Sequence, residues 1–230
     1  MSNLSELEGI FLDFYGTIAA GDRAAVESAC ARVVADFGLS LSAAELAGRW
    51  GHVFFEAIER HNDADFKTLA DLERDTLAET LRPLVGHADP TPYVAEICAY
   101  WRNPPLYPEA KKAIADCPVP ICCVSNVDTE DLESACELHG LHFDFIVTSE
   151  AARSYKPHEA IFRMALDRTG WSPERIIHVG DSLHSDVEGA HGVGIRAAWL
   201  HREDRILDIG KAHPDWTWPN LRNLSDHSIL

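Results

Sequence analysis

Apolar residues gather in five short runs along the 230-residue chain, at 10–12, 119–124, 143–147, 176–179 and 195–200. Turn or polar residues bound each run, which is the pattern of a short buried strand. Between the later runs, segments 108–115, 129–139, 158–169 and 184–191 repeat apolar residues at helical spacing. Strand alternating with helix predicts a parallel sheet covered by helices on both faces.

Residues 22–101 break that rhythm. Four helical patterns follow one another there, AAVESACARVVADFG, SAAELAGRWGHVFFEAIERH, TLADLERDTLAETLRPLV and TPYVAEICAYW, and no strand pattern separates them. Gly38, a Leu-Ser-Leu-Ser stretch, Pro90 and Pro92 punctuate the series. The expected organisation is an α/β core made of residues 1–20 and 103–230, with residues 21–102 inserted as a helical domain after the first strand. The prolines of NPPLYP, residues 103–108, suit a linker that returns the chain to the core.

Composition narrows the functional classes. An apolar content of 46% is ample for a packed interior. The formal charge of −17 argues against a nucleic-acid partner, because gripping a polyanion needs clustered Lys and Arg. No apolar run approaches the roughly 20 residues that cross a bilayer, and MSNLSELEG lacks the basic and apolar regions of a leader. The expectation is a soluble cytoplasmic protein that acts on a small molecule, with no membrane partner. Six cysteines, two of them adjacent at Cys122 and Cys123, form no CxxC pair and read as reduced core residues rather than zinc ligands or a redox couple.

In open parallel α/β sheets, ligands gather beyond the carboxyl ends of the strands. Four polar stations fall at such places. Asp13, Gly16 and Thr17 follow the first run, and Ser125 and Asn126 the second; Lys156 and Pro157 precede the helical segment 158–169; Gly180, Asp181, Ser182 and Asp186 follow the fourth run. Singly, each reads as a cap, a turn or a solvated charge. Together, in this order, they read as one site. Asp13 is placed to act as a carboxylate nucleophile, dividing a hard displacement into formation and hydrolysis of a covalent intermediate. Lys156, and a Mg²⁺ ion held by Asp13 and Asp181, would offset the repulsion between that carboxylate and a phosphate dianion. Ser125 and Thr17 would orient phosphoryl oxygens.

DFYGT, VSN, YKP with Lys156, and GDSLHSD resemble the four motifs of the haloacid dehalogenase (HAD) superfamily of hydrolases, and the helical insert lies where members with a C1-type cap carry theirs. The resemblance covers the whole chain. It implies a Rossmann-like parallel-sheet core under a mobile cap, with Asp13 as nucleophile and the Tyr15 backbone carbonyl and Asp181 as further Mg²⁺ ligands. It places Ser125 on the transferring phosphoryl group, with Thr17, Asn126 and Lys156 beside it. Asp186 would support the metal shell or position Lys156.

Tyr15 stands where family phosphatases usually carry a second Asp that protonates the leaving group. A phenol with a pKa of about 10 is a poor base at neutral pH. Halide departure needs no proton, and the family's 2-haloacid dehalogenases share the DxYGT pattern. Those enzymes work without a metal, however, and their motif IV lacks the acidic pair that Asp181 and Asp186 form here. Their cap arginine directly follows a Trp, whereas Gly51 follows Trp50 and Arg49 precedes it. The first expectation is therefore a Mg²⁺-dependent phosphatase that forms an aspartyl-phosphate on a small phosphorylated metabolite. The alternatives are a metal-independent 2-haloacid dehalogenase, and a binding or regulatory protein with little catalysis. His52, Glu56, Glu59 and His61 share one helical segment and are candidates for a substitute acid, although each also suits a solvated polar face.

Overall fold

Residues 7–202 and 210–225 are described by the computed structural model. Six strands, β1 (Gly9–Leu12), β2 (Ile121–Ser125), β3 (Phe145–Thr148), β4 (Ile176–Gly180), β5 (Arg196–Leu200) and β6 (Trp216–Trp218), form one sheet in the order β3-β2-β1-β4-β5-β6. Every pairing is parallel. Each residue of β1, β2 and β4 is buried, because helices cover both faces of the centre of the sheet. Leu12 pairs with Cys123 on one side and Val179 on the other. That register brings Asp13, Ser125 and Asp181 out along one edge, at the point where the chain crosses from one half of the sheet to the other.

The expected strands are present, with ends shifted by at most two residues. The sixth, β6, was not anticipated: a three-residue edge strand is too short to show periodicity. Segment 184–191 departs more from a regular helix. It begins as a π-helical turn, Leu183–Glu188, in which Asp186 and Val187 both donate to the Ser182 carbonyl at 3.1 Å. The wider turn swings Asp186 inward, and such widened turns recur at functional sites.

The insert contains α1 (Asp22–Phe37), α2 (Ala43–Arg60), α3 (Leu69–Val85) and α4 (Thr91–Arg102). Ser42 and Glu45 close a reciprocal capping box at the start of α2. The four helices bury a core of their own, with Cys30, Val33, Leu46, Trp50, Leu72, Leu81 and Ile97 at its centre. The sheet's two faces pack separately, one against α5 (Ala110–Ala115) and α6 (Thr129–His139). The other packs against α8 (Glu159–Thr169) and α9 (Gly189–Gly192), with the short α7 (Ser149–Ala152) leading towards α8. All six cysteines are free thiols within these interiors or at their margins. Among the described residues no helix is long and apolar enough to cross a membrane.

Polar contacts seat the insert on the carboxyl edge of the sheet. Asp128, in the core, accepts hydrogen bonds from the backbone N–H groups of Leu69 and Ala70 at 2.7 and 3.0 Å, capping α3 from across the interface. Asn62 accepts the Tyr155 N–H at 2.8 Å, and Glu59 of α2 meets His184 at 3.0 Å. At the junction, the Tyr100 hydroxyl donates to the Ala20 carbonyl at 2.9 Å.

One acid inside the insert is a liability at neutral pH. Glu73 is buried on the bundle side of α3, and burial, then the neighbouring Asp22 carboxylate, raises its pKa well above the usual value. Between the unfolded and folded pKa values the folded chain holds the proton and the unfolded chain does not, so stability falls as pH rises through that window. Glu73→Gln should melt with the wild type at pH 4 and above it at pH 7.5, as read by thermal denaturation.

Candidate active site

Asp13 continues β1 by donating its N–H to the Val179 carbonyl at 2.9 Å, which fixes its side chain at the strand end. Lys156 lies directly against it. The Lys156 ammonium, 2% exposed, donates to Asp13 Oδ1 at 2.7 Å, Asp186 Oδ1 at 2.6 Å and the Val124 carbonyl at 3.0 Å. Three hydrogens thus meet three acceptors. Burial disfavours the charged amine, but Asp13 and Asp186 outweigh it and raise the lysine pKa. Burial also penalises the Asp186 carboxylate, yet Lys156 and His178 hold it far below the usual carboxylate range. For Asp13 the balance tips the other way: burial, with Asp186 adding to it, raises the carboxyl despite Lys156.

Two glycines permit the close approach of these groups. A Cβ on Gly16, whose φ is +88°, would fall 2.3 Å from Asp181 Oδ2, and one on Gly180 would fall 2.2 Å from Asp186 Cγ. Ser125 Oγ lies 3.5 Å from Asp13 Oδ1, at the limit of a hydrogen bond. Asp13 Oδ2 and Thr17 Oγ1 are buried and have no hydrogen-bond partner among the described residues.

Oxygens of Asp13, Asp181 and Asp186 approach within 4.8 Å of one another. Both Asp186 oxygens are already engaged, Oδ1 by Lys156 and His178 and Oδ2 by the Ser182 N–H at 2.9 Å. Asp186 is thereby tied to Lys156, His178 and the Ser182 backbone. The open oxygen belongs to Asp13. Buried carboxylates in excess of the lysine, with an unpartnered hard oxygen among them, fit a small divalent cation of the Mg²⁺ type.

Asn126, expected beside the phosphoryl group, is engaged with the Lys156 backbone. Its amide accepts the Lys156 N–H at 2.7 Å and donates to the Lys156 carbonyl at 3.0 Å, so it brackets the lysine backbone. Tyr15 also points elsewhere: its hydroxyl donates to the Trp101 carbonyl at 2.6 Å, joining the core to the end of α4. Burial, followed by the nearby Asp131, lifts this phenol far above its ordinary pKa. Of the candidate substitute acids, His52 pairs with Glu56 on the exposed face of α2, and His61 bonds the Ala57 carbonyl of its own helix. Glu59 faces His184 and His158. Among the described residues none of these four contacts Asp13 or Lys156. Sequence reasoning missed His178, whose only signal was an ionisable residue inside an otherwise apolar strand.

Fold and site together define a Rossmann-like α/β hydrolase with a helical insert after its first strand. The chain belongs to the haloacid dehalogenase-like hydrolases, whose family model matches residues 7–194. It is 46% identical over 95 residues to haloacid dehalogenase-like hydrolase domain-containing protein 3 of Danio rerio, a stretch covering 39% of each chain. It is 35% identical over 130 residues to a phosphoserine phosphatase of Thermus thermophilus, covering 54% of this chain and 51% of that one. These matches span about half or less of the relatives' own lengths. Among solved structures, the L-2-haloacid dehalogenase of Xanthobacter autotrophicus shares the fold with a TM-score of 0.75 at 21% identity, over 95% of this chain and 97% of that one. The HAD-hydrolase YfnB of Bacillus subtilis, solved bound to magnesium, does so with a TM-score of 0.76 at 18% identity, over the same shares of the two chains.

The Tyr15 geometry predicts a separation of stability from chemistry. Tyr15→Phe removes one hydrogen bond, of about 1 kcal/mol, and should lower Tm by about 2–4 °C for a domain of this size. Turnover of any substrate should stay within about twofold of wild type, because a donor worth 10²- to 10⁴-fold as a catalytic acid is not being removed.

Proposed function

We propose that this protein is a Mg²⁺-dependent phosphomonoester hydrolase that forms an aspartyl-phosphate on Asp13, with residues 21–102 acting as the cap over a small phosphorylated metabolite. The observation that carries the reading is the buried set of Asp13, Asp181 and Asp186, with Lys156 bonded to two of them and Asp13 Oδ2 open. A 2-haloacid would bring a further carboxylate into this acidic site, whereas Mg²⁺ would supply the missing positive charge. Arg49, the nearest match to a cap arginine, is exposed on α2. The phosphatase name of the Thermus relative supports the same substrate class.

Asp13 attacks phosphorus while the Lys156 charge offsets the repulsion, and Ser125 and the Thr17 hydroxyl, which has no partner among the described residues, hold the non-bridging oxygens; the P–O bond to the leaving group breaks and its electron pair departs with that oxygen. Water then attacks phosphorus, the bond from phosphorus to the Asp13 oxygen breaks to restore the carboxylate, and inorganic phosphate leaves carrying the water's oxygen and proton. Asp13, Asp181 and the Tyr15 backbone carbonyl would hold the cation, which when bound offsets the charge between carboxylates and phosphoryl oxygens. With the Tyr15 hydroxyl committed to Trp101, the leaving oxygen departs without a proton from that position. Esters of acidic alcohols and phenols should therefore be the better substrates.

A metal-dependent assay across phosphate esters and haloacids tests this. p-Nitrophenyl phosphate should turn over with Mg²⁺, stop on adding EDTA and stop in Asp13→Asn, and rates across aryl phosphates should climb as the leaving phenol becomes more acidic. Chloride release from 2-chloropropionate without metal, and no phosphate release, would instead establish the dehalogenase reading, to which Tyr15 still lends support. Binding of Mg²⁺ and phosphate analogues with no turnover of either class would establish a binding or regulatory protein.

A further inference from the structure

We propose that His178 is a positioning residue that sets the Lys156 ammonium through Asp186. The inference goes beyond the phosphohydrolase reading and rests on Lys156 acting in that site, whichever reaction it serves. His178 is fully buried in β4, between two apolar neighbours, where Val or Ile would pack without a polar atom. Its Nε2 lies 2.9 Å from Asp186 Oδ1, the same oxygen that accepts Lys156 at 2.6 Å. Since that partner is a carboxylate oxygen, Nε2 carries the hydrogen of this bond. Nδ1 has no partner among the described residues, and the ring meets Phe162 edge-on at 5.2 Å between centroids.

Burying an imidazole with one nitrogen unsatisfied costs stability. The hydrogen bond from Nε2 shows what that cost maintains. Asp186 receives three donors, from His178, Lys156 and the Ser182 backbone, and these leave its carboxylate no alternative orientation. A lysine head on four flexible bonds is aimed by its acceptors. Asp186 and the Val124 carbonyl hold two of its hydrogens and direct the third at Asp13. Without His178, Asp186 can rotate towards Lys156 or towards its own backbone, and the third hydrogen loses its fixed direction. Asn126 fixes the same lysine through its backbone, so the residue is set at both ends.

Three variants of the full chain test this. His178→Leu removes the donor and approximates the volume, His178→Asn carries an amide too short to reach Asp186, and His178→Gln carries one that can. With Mg²⁺ and an aryl phosphate, the Leu and Asn variants should lose about tenfold in kcat, in the range measured for groups that orient active-site ligands, with KM within twofold. The Gln variant should recover most of the loss. The second readout is the ¹H–¹⁵N signal of the Lys156 ammonium, which a buried, fully bonded group protects from solvent exchange. It should persist in wild type and Gln and vanish in Leu and Asn. The proposal is overturned by wild-type kcat with an intact Lys156 signal in Leu or Asn, or by a Gln variant as impaired as Asn. Should Leu not fold, Asn against Gln decides. A wild type without phosphatase activity would count against the proposed reaction, while the ammonium signal would still decide the role of His178.

Discussion

The ammonium of Lys156, buried between Asp13 and Asp186, is the interaction around which the carboxyl edge of this sheet is arranged. An unpaired charge at that depth would be severely destabilising, and pairing it requires carboxylates that arrive from β1 and from the turn after β4. The requirement accounts for details that look unrelated. It accounts for the π-helical turn that brings Asp186 inward, for Gly180, which leaves room for the Asp186 carboxylate, and for the Asn126 bracket on the lysine backbone. It also leaves one oxygen of Asp13 without a partner, facing whatever enters the site.

The helical insert adds to that arrangement a second body whose apolar core also takes in Tyr155 and the ring of Tyr15, and whose seat carries polar contacts besides. Asp128 on the first turn of α3, Asn62 on Tyr155 and Glu59 on His184 are contacts that water can replace at modest cost. Tyr15 belongs to the same junction. Its ring is shared between the core of the sheet and the core of the insert, and its hydroxyl is tied to the last residues of α4. The Tyr15 hydroxyl therefore joins the core to the end of α4.

Much of the fold was legible from periodicity alone, because buried parallel strands must be apolar throughout and their short runs stand out between helical patterns. The strand ends then pointed to Asp13, Ser125, Lys156 and Asp181 as neighbours. Periodicity does not show where a polar side chain turns. Asn126 reads as a phosphate ligand from its place after β2, yet its amide faces a peptide group 30 residues on. His178 is hidden within an apolar run, and β6 is too short to announce itself.

The sequence by itself determined the superfamily, the parallel core with its helical insert, and the set of ionisable groups at the strand ends, since these follow from hydrophobic periodicity and from residue types at fixed spacing. Only the tertiary structure decided which partner each polar group takes. It gave both oxygens of Asp186 to donors within the protein, left one oxygen of Asp13 open, and turned the Tyr15 hydroxyl towards Trp101. A hydrogen bond is directional and each acceptor is shared among residues distant in the chain, so the assignment exists only once the whole edge of the sheet is assembled.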